Sequence, residues 1–203
     1  MYKLPALPYY FQDLEPFIDT HTMGLHYHKH QQNYLNKLNS LLIKNGFDFK
    51  YNINELICHL DEFCEDKKDI LYNLGGVINH NAYFRSINTP YLRKMPQGKL
   101  LEKINETFNN FDDFYDLFKE SALAIKGSGY TFLVINKNKD LEIVNMKNQK
   151  LPIFDGYIPL IALDMWEHAY YLNYENDKGK YIDNFKEIVD FTYANKLFES
   201  IKK

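Results

Sequence analysis

The chain has 203 residues, 45% of them hydrophobic and 16% aromatic, which is typical of a folded globular protein with a sizeable core. It contains no apolar run long enough to cross a bilayer, and its net charge of −3 gives no overall attraction for nucleic acid. These properties exclude a membrane-spanning protein and argue against a nucleic-acid partner. The beginning of the chain shows no secretion or organelle-import pattern, so we expect a cytoplasmic protein.

The first part of the chain is predicted to be helical. A stretch without proline predicts a long helix over residues 19–45, and hydrophobic periodicity predicts further helices over 54–63 and 67–87. The third of these contains the pair Gly75 and Gly76. Two adjacent glycines inside a helix indicate that another part of the chain approaches the backbone closely there.

Proline and glycine residues between 88 and 98 break the helical pattern, so we place a boundary there between an N-terminal lobe, 1–88, and a C-terminal lobe, 89–203. The second lobe is predicted to contain helices over 100–108 and 112–125, strands over 130–135, 141–144 and 157–163, and helices from 169 onward, over 180–189 and over 192–201. The expected fold class is α+β. A helical lobe built on a long helical hairpin precedes an α/β lobe with a small three-stranded antiparallel sheet.

Three polar residues of the first predicted helix are candidates for a functional site. His26, His30 and Tyr34 are spaced at i, i+4 and i+8, which places them near one helix face. This spacing allows both histidines to bind one metal ion, or one to bind while the other stands outside as a supporting or interface group. In the third helix, His80 follows the paired glycines.

The predicted third strand delivers Asp164, and His168 follows four positions later, next to the only tryptophan of the chain, Trp166. Two such residues alone are equally consistent with a buried aspartate that is hydrogen-bonded to a histidine. Together, His26, His80, Asp164 and His168 offer three neutral imidazoles and one carboxylate. That set suits manganese, iron or zinc, and it leaves a coordination position open for catalysis.

Several motifs occur in the same order as in the iron/manganese superoxide dismutases, and the chain resembles that family from Leu4 to its C-terminus. The motifs are Leu4-Pro5-x-Leu7-Pro8-Tyr9, Thr22-Met23-x-x-His26-x-x-Lys29-His30, Gly75-Gly76-x-x-Asn79-His80, Gly127-Ser128-Gly129, Asn148-Gln149 and Asp164-x-Trp166-Glu167-His168-Ala169-Tyr170-Tyr171. The resemblance implies conversion of superoxide to dioxygen and hydrogen peroxide. It implies that a single bound manganese or iron ion is reduced and oxidised in turn.

The resemblance also assigns a role to individual residues. The metal ligands would be His26, His80, Asp164 and His168. Tyr34 and Gln149 would form the outer pair, in which Gln149 hydrogen-bonds both the solvent on the metal and Tyr34, and Tyr34 gates the substrate path. The implied assembly is a homodimer. In it Glu167 would reach His168 of the partner subunit, and His30 would meet Tyr171 across the interface at the mouth of the site.

The position of the outer glutamine predicts the preferred metal. In the family this glutamine comes from the sheet lobe in manganese enzymes and from the second ligand helix in many iron enzymes. Gly76 occupies the helix position here and Gln149 the sheet position. We therefore expect manganese to be preferred over iron, with one ion per subunit.

The chain departs from the family at several positions, which leaves the shape of the site and its metal preference open. Where the family commonly has histidine, this chain has Tyr27, Gln31 and Val77. Where the family commonly has tryptophan, this chain has Phe84, Tyr130, Phe132 and Phe191. Lys178 stands where the family usually has arginine. An alternative function is a non-catalytic metal-binding or interaction protein on the same scaffold. Such a protein would have lost a ligand or the outer pair, whereas all six residues are present here.

Overall fold

The first long helix is divided into three parts in the computed structural model, which describes residues 1–63, 65–91 and 95–201. α1 (Thr20–Leu25) is followed by a π-helical segment (His26–Gln31) and then by α2 (Gln32–Lys44). Asp19 caps α1, because its side chain accepts a hydrogen bond from the backbone N–H of Thr22. The helix predicted over 19–45 is confirmed in extent, but the π turn is a feature that no sequence pattern had indicated.

The next elements complete the helical part. The helix predicted over 54–63 is a 3₁₀ helix (Glu55–Glu62), and the third predicted helix is confirmed as α3 (Lys67–Ser86). α2 and α3 pack together through leucine, isoleucine and valine side chains at helical spacing, namely Leu35, Leu38, Leu42, Ile70, Leu74 and Val77. This packing brings α3 alongside the helix that carries His26.

The C-terminal part contains the predicted three-stranded sheet. Its helices and strands are α4 (Gly98–Phe108), α5 (Phe111–Leu123), β1 (Gly129–Ile135), β2 (Leu141–Lys147), β3 (Ile158–Asp164), α6 (Tyr171–Tyr174), α7 (Lys178–Phe185) and α8 (Phe191–Ile201). The strand order is β2-β1-β3, and both pairs are antiparallel. β1 lies in the centre and is buried along its whole length, so the expected α+β class is confirmed.

A buried hydrogen bond connects the end of α3 to the sheet. The backbone N–H of Ala162 in β3 donates to Ser86 Oγ at 2.8 Å, and Ser86 Oγ donates to the backbone oxygen of Ala82 at 2.7 Å. These bonds fix α3 against β3, two residues before Asp164. The fold therefore holds His80 of α3 close to the end of β3.

Two further predictions concern the chain as a whole. In the part of the chain that the structure describes, no helix is both long and apolar enough to cross a membrane. The boundary predicted between 88 and 98 includes residues 92–94, which lie outside the described residues. The division into lobes therefore stays a prediction.

Candidate metal centre

Four side chains from different elements converge on one point. His26 comes from the π segment, His80 from α3, Asp164 from the end of β3 and His168 from a short 3₁₀ helix (Glu167–Ala169). One nitrogen or oxygen from each residue lies within 4.8 Å of the others. The side chains of the first three are completely buried, and that of His168 is 11% exposed. The arrangement is a compact set of three imidazoles and one carboxylate.

The atoms that face the centre are the Nε2 atoms of the histidines and Oδ2 of Asp164. His26 Nε2 lies 3.2 Å and His168 Nε2 3.7 Å from that oxygen, and the Nε2 atoms of His80 and His168 are 3.3 Å apart. Backbone groups hold the sides of His80 and Asp164 that face away from the centre. His80 Nδ1 donates to the oxygen of Gly76 at 2.6 Å, and the N–H of Trp166 donates to Asp164 Oδ1 at 2.8 Å.

This donor set fits a divalent or trivalent transition-metal ion. His26 Nε2 and Asp164 Oδ2 are buried and have no hydrogen-bond partner among the described residues. An unsatisfied buried polar atom costs about 1–3 kcal/mol, and a cation between these atoms would remove that cost. Imidazole nitrogen and carboxylate oxygen together suit manganese and iron.

The protonation states also favour metal binding. Burial lowers the pKa of His26 to about 4 and that of His80 to about 3, so both rings are neutral near pH 7 and offer a lone pair. Burial alone would raise the pKa of Asp164. The neighbouring His168 and His26 rings outweigh burial and hold that pKa well below its usual range, so the carboxylate is ionised.

Tyr34 and Gln149 lie together beside this cluster. Gln149 is 3% exposed, its Nε2 donates to Tyr34 Oη at 3.2 Å, and its Oε1 accepts from Asn79 Nδ2 at 3.3 Å. The Tyr34 ring is centred 5.4 Å from the ring of His80. Burial raises the pKa of Tyr34, so the phenol stays protonated at neutral pH.

The paired glycines of α3 allow this approach. A β-carbon on Gly75 would overlap the backbone oxygen of Gln149, and one on Gly76 would overlap the ring of Tyr34. The predicted close approach at these glycines is therefore confirmed. The residues that approach are Gln149, at Gly75, and Tyr34, at Gly76. They are the two residues of the outer pair.

His30 lies beside the cluster and contributes no atom to it. Its ring is stacked on that of His168, with the ring centres 4.1 Å apart and the planes 15° from parallel. The structure thus places His26 inside the cluster and His30 outside it. Glu167 and Tyr171 are exposed on the same short segment as His168.

One residue close to the cluster was not predicted as a site residue. The hydroxyl oxygen of Tyr130 lies 3.3 Å from His80 Nδ1. In the sequence this tyrosine stands out only as a departure from the family. The signal that places it here is its position directly opposite Asp164 in the pairing of β1 with β3, which depends on the strand register.

Comparisons with known proteins agree with this geometry. The family model for the α-hairpin domain of iron/manganese superoxide dismutases matches residues 1–88, and the model for their C-terminal domain matches residues 96–197. Three similar proteins carry the name "Superoxide dismutase [Mn]". They come from Listeria innocua (41% identical), Listeria monocytogenes (39%) and Listeria ivanovii (38%), and each alignment spans 201 residues, 99% of both chains.

Proposed function

The chain belongs to the iron/manganese superoxide dismutase family and is a superoxide dismutase, and from that premise we propose that it uses one manganese ion per subunit. The ligands we propose are His26, His80, Asp164 and His168. The observation that carries the proposal is the buried cluster of four donor atoms, two of which have no hydrogen-bond partner among the described residues. The substrate is superoxide, and the products are dioxygen and hydrogen peroxide.

The ion and the protein have different roles in the proposed reaction. When bound, the ion supplies the two one-electron steps that oxidise one superoxide and reduce a second. The protein brings together three imidazole nitrogens and one carboxylate oxygen, and backbone groups hold the far sides of two of these residues, His80 and Asp164. Three of the four side chains are completely buried and His168 is 11% exposed, so little of the cluster meets bulk water.

We assign proton delivery and access to Tyr34 and Gln149, with His30 at the mouth of the site. Gln149 Nε2 donates to the phenol oxygen of Tyr34, which leaves the hydrogen of that phenol free to be donated elsewhere. Peroxide formation consumes two protons, and a half-buried phenol beside the cluster is suited to supply one of them. Asn79 fixes the other end of the Gln149 amide and therefore its orientation.

The preference for manganese rests on which element supplies the outer glutamine. Gln149 follows β2, and the position on α3 where many iron enzymes carry glutamine is Gly76, which the ring of Tyr34 covers. An N–H donor to the metal-bound solvent would stabilise its hydroxide form, which accompanies the oxidised metal, and so would lower the reduction potential. Manganese(III) is intrinsically the stronger oxidant, so it needs its potential lowered further than iron does. The names of the three similar proteins support the same metal.

The experiment that tests this proposal is metal exchange. Metal-free unfolded protein is refolded with manganese or with iron, and dismutation is measured per bound ion. We expect higher activity with manganese and one ion per subunit. Higher activity with iron would contradict the argument from Gly76 and Gln149, and equal activities would show that the altered surroundings of the site decide the preference.

We also propose a two-fold symmetric homodimer. His30, Glu167 and Tyr171 are exposed around His168, where a second subunit would meet them, and Glu167 would accept a hydrogen bond from His168 of the partner subunit. The division into lobes 1–88 and 89–203 is a further proposal, supported by the ranges of the two family models. Cytoplasmic location stays a prediction.

A further inference from the structure

Tyr130 is a residue of the central strand whose hydroxyl contacts one of the proposed ligands. Its side chain is completely buried, and it pairs with Asp164 across β1 and β3 and with Met146 across β1 and β2. Directly opposed residues of antiparallel strands project on the same side of the sheet. The phenol of Tyr130 therefore extends toward the cluster, where its oxygen reaches 3.3 Å from His80 Nδ1.

The ring nitrogen that Tyr130 meets already has a partner. His80 Nδ1 lies 2.6 Å from the oxygen of Gly76, which can only accept, so Nδ1 carries the hydrogen and Nε2 carries the lone pair. The phenol oxygen is then a second, longer acceptor for the same N–H. Hydrogen bonds shared between two acceptors are common in proteins.

The side chain at position 130 decides whether the N–H of His80 has this second acceptor. A phenol oxygen can accept a hydrogen bond from an imidazole N–H. A tryptophan, the common family residue here, offers only a donor, and a phenylalanine offers neither group.

We propose that Tyr130 is a positioning residue that tunes the metal through His80. Its oxygen shares the N–H of His80 with Gly76, holds the ring with Nε2 toward the centre, and increases the electron density that the ring donates. A more basic ligand binds the metal more tightly and stabilises its higher oxidation state, which lowers the reduction potential. This inference rests on the proposed role of His80 as a ligand.

The test compares Tyr130→Phe and Tyr130→Trp with the wild type. Manganese affinity is measured by competition with a chelator, and the reduction potential by titration with redox mediators. We expect both variants to bind manganese about 10-fold more weakly and to have a higher potential, since neither side chain can accept from His80. The matched control is Tyr115→Phe, which removes another buried hydroxyl, one that donates to the backbone oxygen of Ile182 at 2.6 Å. We expect the control to change neither quantity.

A second measurement does not require the variants to hold metal. In metal-free protein with ¹⁵N-labelled histidine, the Nδ1–H resonance of His80 should shift in Tyr130→Phe and stay unchanged in Tyr115→Phe. Unchanged affinity, potential and resonance in Tyr130→Phe would overturn the inference. A loss in Tyr130→Trp alone would also overturn it, because it would make ring size, not the oxygen, the cause.

The proposed ligand role of His80 is tested separately. If His80→Ala binds manganese as tightly as the wild type, that assignment fails, and the inference about Tyr130 fails with it. If His80→Ala loses the metal while Tyr130→Phe behaves like the wild type, only the inference is wrong. The two failures are therefore distinguishable.

Discussion

Adding a single methyl group at Gly76 should separate Tyr34 from Gln149. A β-carbon at this position would lie inside van der Waals contact of Tyr34 Cγ and Cδ1 and 2.9 Å from Cδ2. The ring would have to retreat by roughly 1 Å to reach an ordinary carbon–carbon separation. α3 cannot move aside easily, because Gly75 is already in close approach to the backbone of Gln149 and Ser86 connects the helix to β3.

The displacement should lower the stability only slightly, but it should break the hydrogen bond between Gln149 and Tyr34. Overpacking typically costs about 1–3 kcal/mol, and replacement of glycine by alanine within a helix returns about 0.5–1 kcal/mol. We therefore expect a net loss of about 1 kcal/mol in the free energy of unfolding. The bond from Gln149 Nε2 to Tyr34 Oη is 3.2 Å long, so a shift of this size breaks it. Because the proton donor is displaced and not removed, kcat/KM should fall by roughly 10- to 100-fold, less than the about 100- to 10,000-fold that a well-positioned donor contributes.

The assay combines urea unfolding of the metal-free protein with activity per bound manganese. The matched control is Gly24→Ala in α1, where a β-carbon would meet no atom within 4 Å. We expect this control to keep its activity and to gain roughly 0.5–1 kcal/mol of stability. In a Tyr34→Ala background the clash is absent, so Gly76→Ala should cost little there. If Gly76→Ala were as harmless as Gly24→Ala, the assigned packing of Tyr34 against α3 would be wrong.

The remaining predictions concern the ligands, the assembly and substrate attraction. Asp164→Ala should abolish metal retention and dismutation together, and a full metal content in that variant would refute the ligand assignment. Light scattering should show a dimer or a multiple of one, whereas an active monomer at nanomolar concentration would exclude a shared interface. Lys29 is exposed next to His30, so Lys29→Glu should lower kcat/KM and flatten its decrease with salt, while Lys99→Glu in α4 makes the same charge change as a control. An unchanged salt slope in Lys29→Glu would remove this lysine from the mechanism.

The predictions that came from local patterns agree best with the structure. The helix predicted over 67–87 and the strand predicted over 130–135 are both present, and the structure trims the helix by one residue and extends the strand by one. The four clustered residues were identified by type and motif, because metal binding restricts the choice of side chains. Gly75 and Gly76 signalled close approach, but they could not reveal what approaches.

Features that depend on register or on backbone hydrogen bonding could not be predicted. Tyr130 reaches His80 only because β1 pairs with β3 in the register that sets Tyr130 opposite Asp164. These two residues are 34 positions apart in the chain. A shift of one residue would direct the phenol to the other face of the sheet. The sequence of either strand alone contains no information about that alignment.

The π-helical segment is an unpredicted backbone feature that positions residues identified from the sequence motifs. In a regular α-helix, residues four apart are rotated by about 40° around the axis, so Tyr34 would be turned about 80° from His26. The backbone N–H of Gln32 reaches back to the oxygen of Tyr27, five residues earlier, so this turn holds more residues and rotates less per residue. The wider turn reduces the drift, and both His26 and Tyr34 end near His80, with ring centres 5.0 and 5.4 Å from it. His30 lies within the wide turn and is placed against His168 instead of inside the cluster. One irregular turn thus lets a single helix provide a proposed ligand, a ring that stacks on another ligand, and the proposed proton donor.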